Sequence, residues 1–174
     1  MLLNLTDVLT SEDRVVTKQV EADITEIDCR TGSYPVIEKT PLLLTMTNLG
    51  ANKASIRGKM ELSLGMSCDR CLKPVIQKIT LAFTRTVFGP DGYQEDTDED
   101  EQNFMEGYQL NVDDLIRNEC FLNLPMKVLC KPDCRGICSI CGKDLNLGSC
   151  DCDTFVPDPR MAGIKDIFEA NKEV

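Results

Sequence analysis

The segment ASIRGKMELSLGMSCDRCLKPVIQKITLAF, residues 54–83, decides how this chain folds. Apolar and polar residues alternate in its first half, and the same period resumes after CDRCLKP. Because successive side chains of a strand point to opposite faces, this period predicts two half-buried strands. The apolar positions are Ile56, Met60, Leu62, Leu64 and Met66, then Val75, Ile79, Leu81 and Phe83. The segment therefore predicts a β-hairpin with Cys68 and Cys71 at its tip.

The flanking regions predict different elements. Residues 1–48 predict strands and turns, including an exposed strand in VEADITEI, residues 20–27. Residues 91–106 hold eight acids and no base, which is typical of a solvated loop. YQLNVDDLIRNECFLNLP, residues 108–125, predicts a helix capped by Asn111 and ended by Pro125. Its expected buried side consists of Val112, Leu115, Ile116, Cys120 and Leu122.

These elements together predict an α+β fold. We expect a mainly antiparallel β-sheet, or a partly closed barrel, with a helix and a C-terminal cysteine-rich zinc-binding segment. Residues 1–126 should form the α+β domain, and residues 127–174 the cysteine-rich segment and a terminal helix. The Asp158–Pro159 pair predicts the start of that terminal helix.

The sequence CKPDCRGICSICGKDLNLGSCDCD, residues 130–153, predicts metal binding. It contains six cysteines, and the whole chain contains no histidine. Zinc prefers four thiolate or imidazole ligands, often supplied as closely spaced pairs, so any zinc site here must be built mainly from cysteine. Four such pairs provide ligands for two sites: Cys68 and Cys71, Cys130 and Cys134, Cys138 and Cys141, and Cys150 and Cys152.

Two assignments of these pairs are open. Cys138 and Cys141 can close on one zinc ion with Cys150 and Cys152 through a short loop, at little entropic cost. The hairpin tip would then share a second ion with Cys130 and Cys134. The alternative joins the hairpin tip to Cys138 and Cys141. We expect Cys120 to be a buried core residue and Cys29 to take no part.

Disulfide and redox roles are less favoured than zinc binding. The N-terminal sequence MLLNLTDVLTSEDR has no basic region followed by a sustained apolar run, which argues against secretion and favours a cytoplasmic location. A thioredoxin-like CxxC motif should follow a strand and open a helix, whereas Cys68 and Cys71 join two strands.

The charge distribution defines a candidate RNA-binding surface. The net charge of −10 argues against non-specific binding to nucleic acid. Residues 49–90, however, carry seven bases and two acids. Lys53, Arg57 and Lys59 share one face of the first hairpin strand, opposite the apolar set. They are the tentative RNA-binding residues, and a solvated strand face with Glu61 as their partner is the alternative.

Several segments resemble the YceD family, the large ribosomal RNA subunit accumulation proteins. They are SCDRCLKPV, LIRNECFLNLPMKVLCKPDCRGICSICGKDLN, the CDC tripeptide and DPRMAGIKDIF. The resemblance implies a role in accumulating large-subunit ribosomal RNA, through precursor processing or ribosome assembly, in a bacterial cytoplasm. The partners it implies are precursor ribosomal RNA or the assembling large subunit, with a ribosomal protein as a further candidate.

Two other functions are compatible with clustered cysteines or with the acidic loop. A redox-switched zinc protein or chaperone would also need clustered thiolates, and a zinc-dependent docking module could use the acidic loop. An enzyme is not expected, because the chain has no histidine, no phosphate-binding glycine loop and no GxSxG motif. We expect no membrane association and no small-molecule substrate.

Overall fold

The computed structural model describes residues 1–29, 32–90 and 104–152. In chain order the elements are β1 (Leu2–Asn4), α1 (Thr6–Thr10), β2 (Val15–Val20), β3 (Glu26–Cys29), β4 (Gly32–Lys39), β5 (Leu42–Gly50), β6 (Lys53–Ser67), β7 (Pro74–Phe88), β8 (Met105–Glu106), β9 (Gln109–Asn111) and α2 (Val112–Asn123). The predicted terminal helix lies outside the described residues, and the boundary at residue 126 stays a prediction.

The predicted hairpin is confirmed as the central feature of the fold. β6 and β7 pair antiparallel along all 15 of their residues, from Lys53 opposite Phe88 to Ser67 opposite Pro74. β6 also pairs with β5 through its first half and with β4 through its second half. The result is a six-stranded antiparallel sheet in the order β2-β5-β6-β4-β3, with β7 along the other edge of β6.

A smaller sheet and two helices complete the described fold. The small sheet has the order β1-β9-β8. Both sheets are open among the described residues, so the mainly antiparallel sheet is observed and the partly closed barrel is not. Helix α1 contacts β5, and α2 contacts β3 and β7, so the core lies between the large sheet and the helices. No helix in the described ranges combines the length and the apolarity needed to cross a membrane.

The alternation predicted for the hairpin matches its burial. Ile56, Met60 and Leu62 are buried, whereas Arg57 and Lys59 on the opposite face are exposed.

A close contact on the buried face explains why position 58 is a glycine. A β-carbon built on Gly58 would lie 2.1 Å from Cζ of the Phe83 ring on the paired strand. The ring occupies the volume that any larger residue at position 58 would need.

The predicted helix is present with its predicted cap but differs on its buried face. Asn111 is the N-cap, and its side chain accepts a hydrogen bond from the backbone N–H of Asp114 at 3.4 Å. The preceding residues are strand β9 because they pair with β1. Leu122 is 58% exposed, so its predicted burial is wrong. Glu119 is buried instead, and its carboxylate accepts from Nε of Arg85 at 2.5 Å.

Two further expectations need correction. In VEADITEI, Val20, Ala22 and Ile24 are buried in alternation, yet β2 ends at Val20 and β3 begins at Glu26, so there is no continuous strand. In the predicted acidic loop, residues 91–103 lie outside the described ranges. Its last three residues are not a solvated loop, since Phe104 is a buried turn residue and Met105–Glu106 form β8.

Candidate metal centres

The first cysteine cluster joins the hairpin tip to the segment after α2. The Sγ atoms of Cys68, Cys71, Cys130 and Cys134 all lie within 4.8 Å of one another. Cys68 and Cys134 are 3.8 Å apart at sulfur, and Cys71 and Cys130 are 3.4 Å apart. A zinc ion with Zn–S bonds of about 2.3 Å places its sulfurs about 3.8 Å apart. All ten cysteines are free thiols, so the cluster has the spacing of a metal site and not of disulfides.

A tight turn positions the two hairpin cysteines. The backbone N–H of Cys68 donates to the carbonyl of Lys73 at 2.8 Å, and the N–H of Leu72 donates back to the carbonyl of Cys68 at 2.9 Å. Leu72 has a φ of 60°, in the left-handed region that favours glycine. This turn directs both thiols to the same side, towards the segment that carries Cys130 and Cys134.

Asp69 anchors the hairpin tip to that segment. Its backbone N–H donates to the carbonyl of Val128 at 2.9 Å, and its carboxylate accepts from the N–H of Val128 at 2.6 Å. Val128 is buried, whereas Asp69 itself is exposed. The role of Asp69 cannot be read from its own segment, because its partner lies 59 residues away.

The second cysteine cluster is formed by Cys138, Cys141, Cys150 and Cys152, whose Sγ atoms also lie within 4.8 Å of one another. The grouping corresponds to the first of the two assignments considered from sequence. Around Cys138 the chain repeats the turn of the hairpin tip. The N–H of Cys138 donates to the carbonyl of Lys143, and the N–H of Gly142 donates to the carbonyl of Cys138, both at 2.9 Å. Gly142, with a φ of 71°, takes the place of Leu72.

The cysteines of the first cluster differ in pKa, so their thiols do not ionise equally easily. Burial raises the pKa of Cys68, but backbone N–H groups of Arg70, Cys130 and Cys71 outweigh it and lower that pKa to about 6. Hydrogen bonding with the side chain of Cys71 raises the pKa of Cys130 to about 12. The pKa of Cys134 is also lowered, so Cys68 and Cys134 ionise first, and their negative charge opposes ionisation of the other two thiols.

The second cluster also contains both a cysteine with a lowered pKa and cysteines with a raised pKa. Backbone N–H groups of Cys141 and Ile140 lower the pKa of Cys138 to about 6. The side chain of Cys141 raises the pKa of Cys152 to about 12. A divalent cation among four sulfurs would offset the repulsion that keeps the remaining thiols protonated. The donor set of each cluster thus fits a zinc ion, and four sulfur ligands would fill its coordination without leaving a position for substrate.

The tentative RNA-binding residues lie on the outer face of the large sheet. Arg57 and Lys59 are exposed, and neither forms an ion pair among the described residues. Lys53 is half-buried, and its ammonium lies 5.1 Å from the centre of the Phe88 ring. The structure thus leaves Arg57 and Lys59 available and engages Lys53 in a cation–π contact.

The two cysteines outside the clusters lie elsewhere. Cys120 is fully buried in the main core, and burial is the first cause that raises its pKa to about 12. Cys29 is half-buried at the end of β3 and packs against the same core. Neither belongs to a cysteine tetrad.

The fold and the two cysteine clusters define a mainly antiparallel β protein whose longest hairpin ends in a candidate metal site. The chain belongs to the YceD family, described as "Large ribosomal RNA subunit accumulation protein YceD", whose model matches residues 56–168. That range contains both hairpin strands from Ile56 onward, helix α2 and all eight clustered cysteines.

Similar chains occur in mycobacteria. Uncharacterized proteins of Mycobacterium bovis and Mycobacterium tuberculosis are 35% identical to this chain over 79 residues. The match covers 45% of this chain and 38% of each relative's length. No solved structure matches the chain.

Proposed function

We propose that this protein is a zinc-binding, non-catalytic factor for the accumulation of large-subunit ribosomal RNA, acting in precursor processing or ribosome assembly. Membership of the YceD family is the observation that carries the proposal, because the matched region includes both cysteine clusters and the hairpin that presents the basic face. We also propose a cytoplasmic location, where reduced thiols remain available as metal ligands.

The proposed zinc ions have a structural role. The first ion would join Cys68 and Cys71 of the hairpin tip to Cys130 and Cys134, which are distant in sequence. The second would close the loop between Cys141 and Cys150. Closed four-sulfur sites stabilise a fold and offer no open position for a bound water or substrate, which supports a non-catalytic role.

We propose that RNA contacts the outer face of the large sheet at Arg57 and Lys59, with Lys53 at its margin. The residues paired with Arg57 across the sheet are Thr45 and Thr84, and those paired with Lys59 are Leu43 and Ala82. None of these four is charged, so they leave the two cations unneutralised. Lysine and arginine side chains that neutralise phosphates supply most of the non-specific affinity for nucleic acid.

The test is a charge reversal on this face. The Arg57→Glu/Lys59→Glu double variant should bind precursor ribosomal RNA or pre-ribosomal particles more weakly, and the dependence of its affinity on salt should be shallower. Both side chains point to solvent, so the circular dichroism spectrum and bound zinc should not change. A matched control is Lys18→Glu, which reverses an exposed charge on β2 outside this pair.

Co-purification tests the partner class. The tagged chain should recover large-subunit precursor RNA, and ribonuclease treatment should release the associated ribosomal proteins. Unchanged RNA affinity in the double variant would contradict the proposed surface. Ribosomal proteins that remain bound after ribonuclease treatment would instead favour direct docking on a basic protein, for which the acidic residues 91–101 are the candidate segment.

A further inference from the structure

Asn146 belongs to the loop of the second cluster, yet its side chain contacts the first. It lies between Cys141 and Cys150, and its Nδ2 is 3.5 Å from Sγ of Cys134. Cys134 is fully buried. A residue of one cluster thus donates a hydrogen bond to a sulfur of the other.

Neighbouring groups fix the orientation of the Asn146 amide. The backbone N–H of Arg135 can only donate, and it lies 2.9 Å from Oδ1 of Asn146. The Nδ2 group must therefore face the other way, where it also donates to the carboxylate of Asp144 at 2.7 Å. With both ends of the amide bonded, Asn146 holds a single position beside Cys134.

Two more contacts hold the loop against the hairpin tip. Lys73, which follows the first cysteine turn, forms an ion pair with Asp144 at 2.7 Å. The backbone N–H of Ile137 donates to the carbonyl of Arg70 at 3.1 Å. A β-carbon on Gly136 would lie 2.8 Å from that same carbonyl oxygen, so the two segments are in close backbone contact.

We propose that Asn146 is a positioning residue of the first zinc site, supplied by the loop of the second, and that filling the second site strengthens zinc binding at the first. The inference rests on the proposed zinc binding. The Asn146 N–H stabilises the thiolate of Cys134, and outer hydrogen bonds of this kind contribute about 10–100-fold to metal affinity. The second zinc ion fixes the loop that presents Asn146, and the coupling between two binding sites is reciprocal.

Cadmium NMR of the full chain separates the two sites, since each four-sulfur site gives its own resonance. The Cys138→Ser/Cys141→Ser variant retains the first-site resonance and assigns it. Titration with a chelator then gives the relative affinity of each site. Asn146→Ala should shift the first-site resonance and lower first-site affinity by about tenfold or more. Asn146→Asp keeps the acceptor for Arg135 but lacks the N–H donor, and it should also lower the affinity.

Lys143→Ala is the matched control. Lys143 also follows a cysteine turn, but its ammonium donates to the carbonyl of Ser149 within its own loop. Its loss should leave the first-site resonance in place. Asn146→Ala and the Cys138→Ser/Cys141→Ser change should remove the same interaction with the first site. When the two are combined, the fold-loss of first-site affinity should therefore be smaller than the product of the two separate fold-losses.

Three results would overturn the inference: an unshifted first-site resonance in Asn146→Ala, an unchanged first-site affinity, or separate losses that multiply. A native chain that binds neither zinc nor cadmium would refute the proposed metal sites themselves, which is a different outcome from loss of coupling.

Discussion

Removal of the first metal site should destabilise the protein more than removal of the second. Cys68→Ser and Cys150→Ser each take one ligand from a cluster and keep the size of the side chain similar. A metal ion bound by two segments of a chain stabilises the folded state partly because it closes a loop in the unfolded chain. The first cluster links Cys71 to Cys130, 59 positions apart, whereas the second links Cys141 to Cys150, nine positions apart.

The difference between the two loops sets the expected magnitude. The loop-closure relation gives about 4.3 kcal/mol for the longer loop and about 2.6 kcal/mol for the shorter one, a difference of about 1.7 kcal/mol. For a domain of this size, 1 kcal/mol shifts Tm by about 2–4 °C, so the Tm of Cys68→Ser should lie roughly 3–7 °C below that of Cys150→Ser. The coupling through Asn146 is reciprocal, so it is lost in both variants and leaves this gap unchanged.

Thermal unfolding followed by circular dichroism measures the difference. Free zinc must be held constant, because a ligand that binds the folded state raises Tm with its concentration. Cys29→Ser is the control, since Cys29 lies outside both tetrads and should have a smaller effect than either variant. Equal Tm values for Cys68→Ser and Cys150→Ser, or a lower value for Cys150→Ser, would refute the loop-closure reasoning.

Two further predictions concern metal content and the core. Elemental analysis of the natively purified chain should find close to two zinc ions. Bound zinc would keep the thiols ionised, so protons would compete with it, and the metal should be lost as the pH falls below about 6, where Cys68 and Cys138 also protonate. Zinc content near zero at neutral pH would contradict this. Gly58→Ala should destabilise the fold by about 1–3 kcal/mol in urea denaturation, because its β-carbon meets the Phe83 ring. Phe83→Leu should relieve part of that loss, and additive effects of the two changes would show that they do not clash.

The sequence predicted those parts of the fold that local patterns encode. Alternation identified β6 and β7, and the cysteine turn between them placed Cys68 and Cys71 at the tip. Asn111 was recognisable because capping depends on residues within one helical turn. The cysteine groups followed from spacing and from the absence of histidine.

The errors and omissions depend on contacts that are remote in sequence. Glu119 reads as a solvent-facing residue, but its partner Arg85 on β7 permits burial. Helix α1 was missed because it has only five residues, and the Asn48 amide on β5 bonds the carbonyls of Val8 and Leu9 near its end. Asn146 could not be identified from its own segment, because its proposed role depends on the Sγ of Cys134, which only the fold brings next to it.

The length of the hairpin also isolates its two ends electrostatically. Two zinc ions with four thiolates each would carry a formal charge of −2 apiece, which would repel RNA. Along β6, however, Arg57 lies ten residues from Ser67 at the cysteine tip, or about 34 Å at the rise of an antiparallel strand. The Debye length in physiological salt is about 8 Å, so that negative charge is screened over roughly four such lengths. The strand pair would thus act as a spacer between an acidic end, if zinc is bound there, and the cationic face.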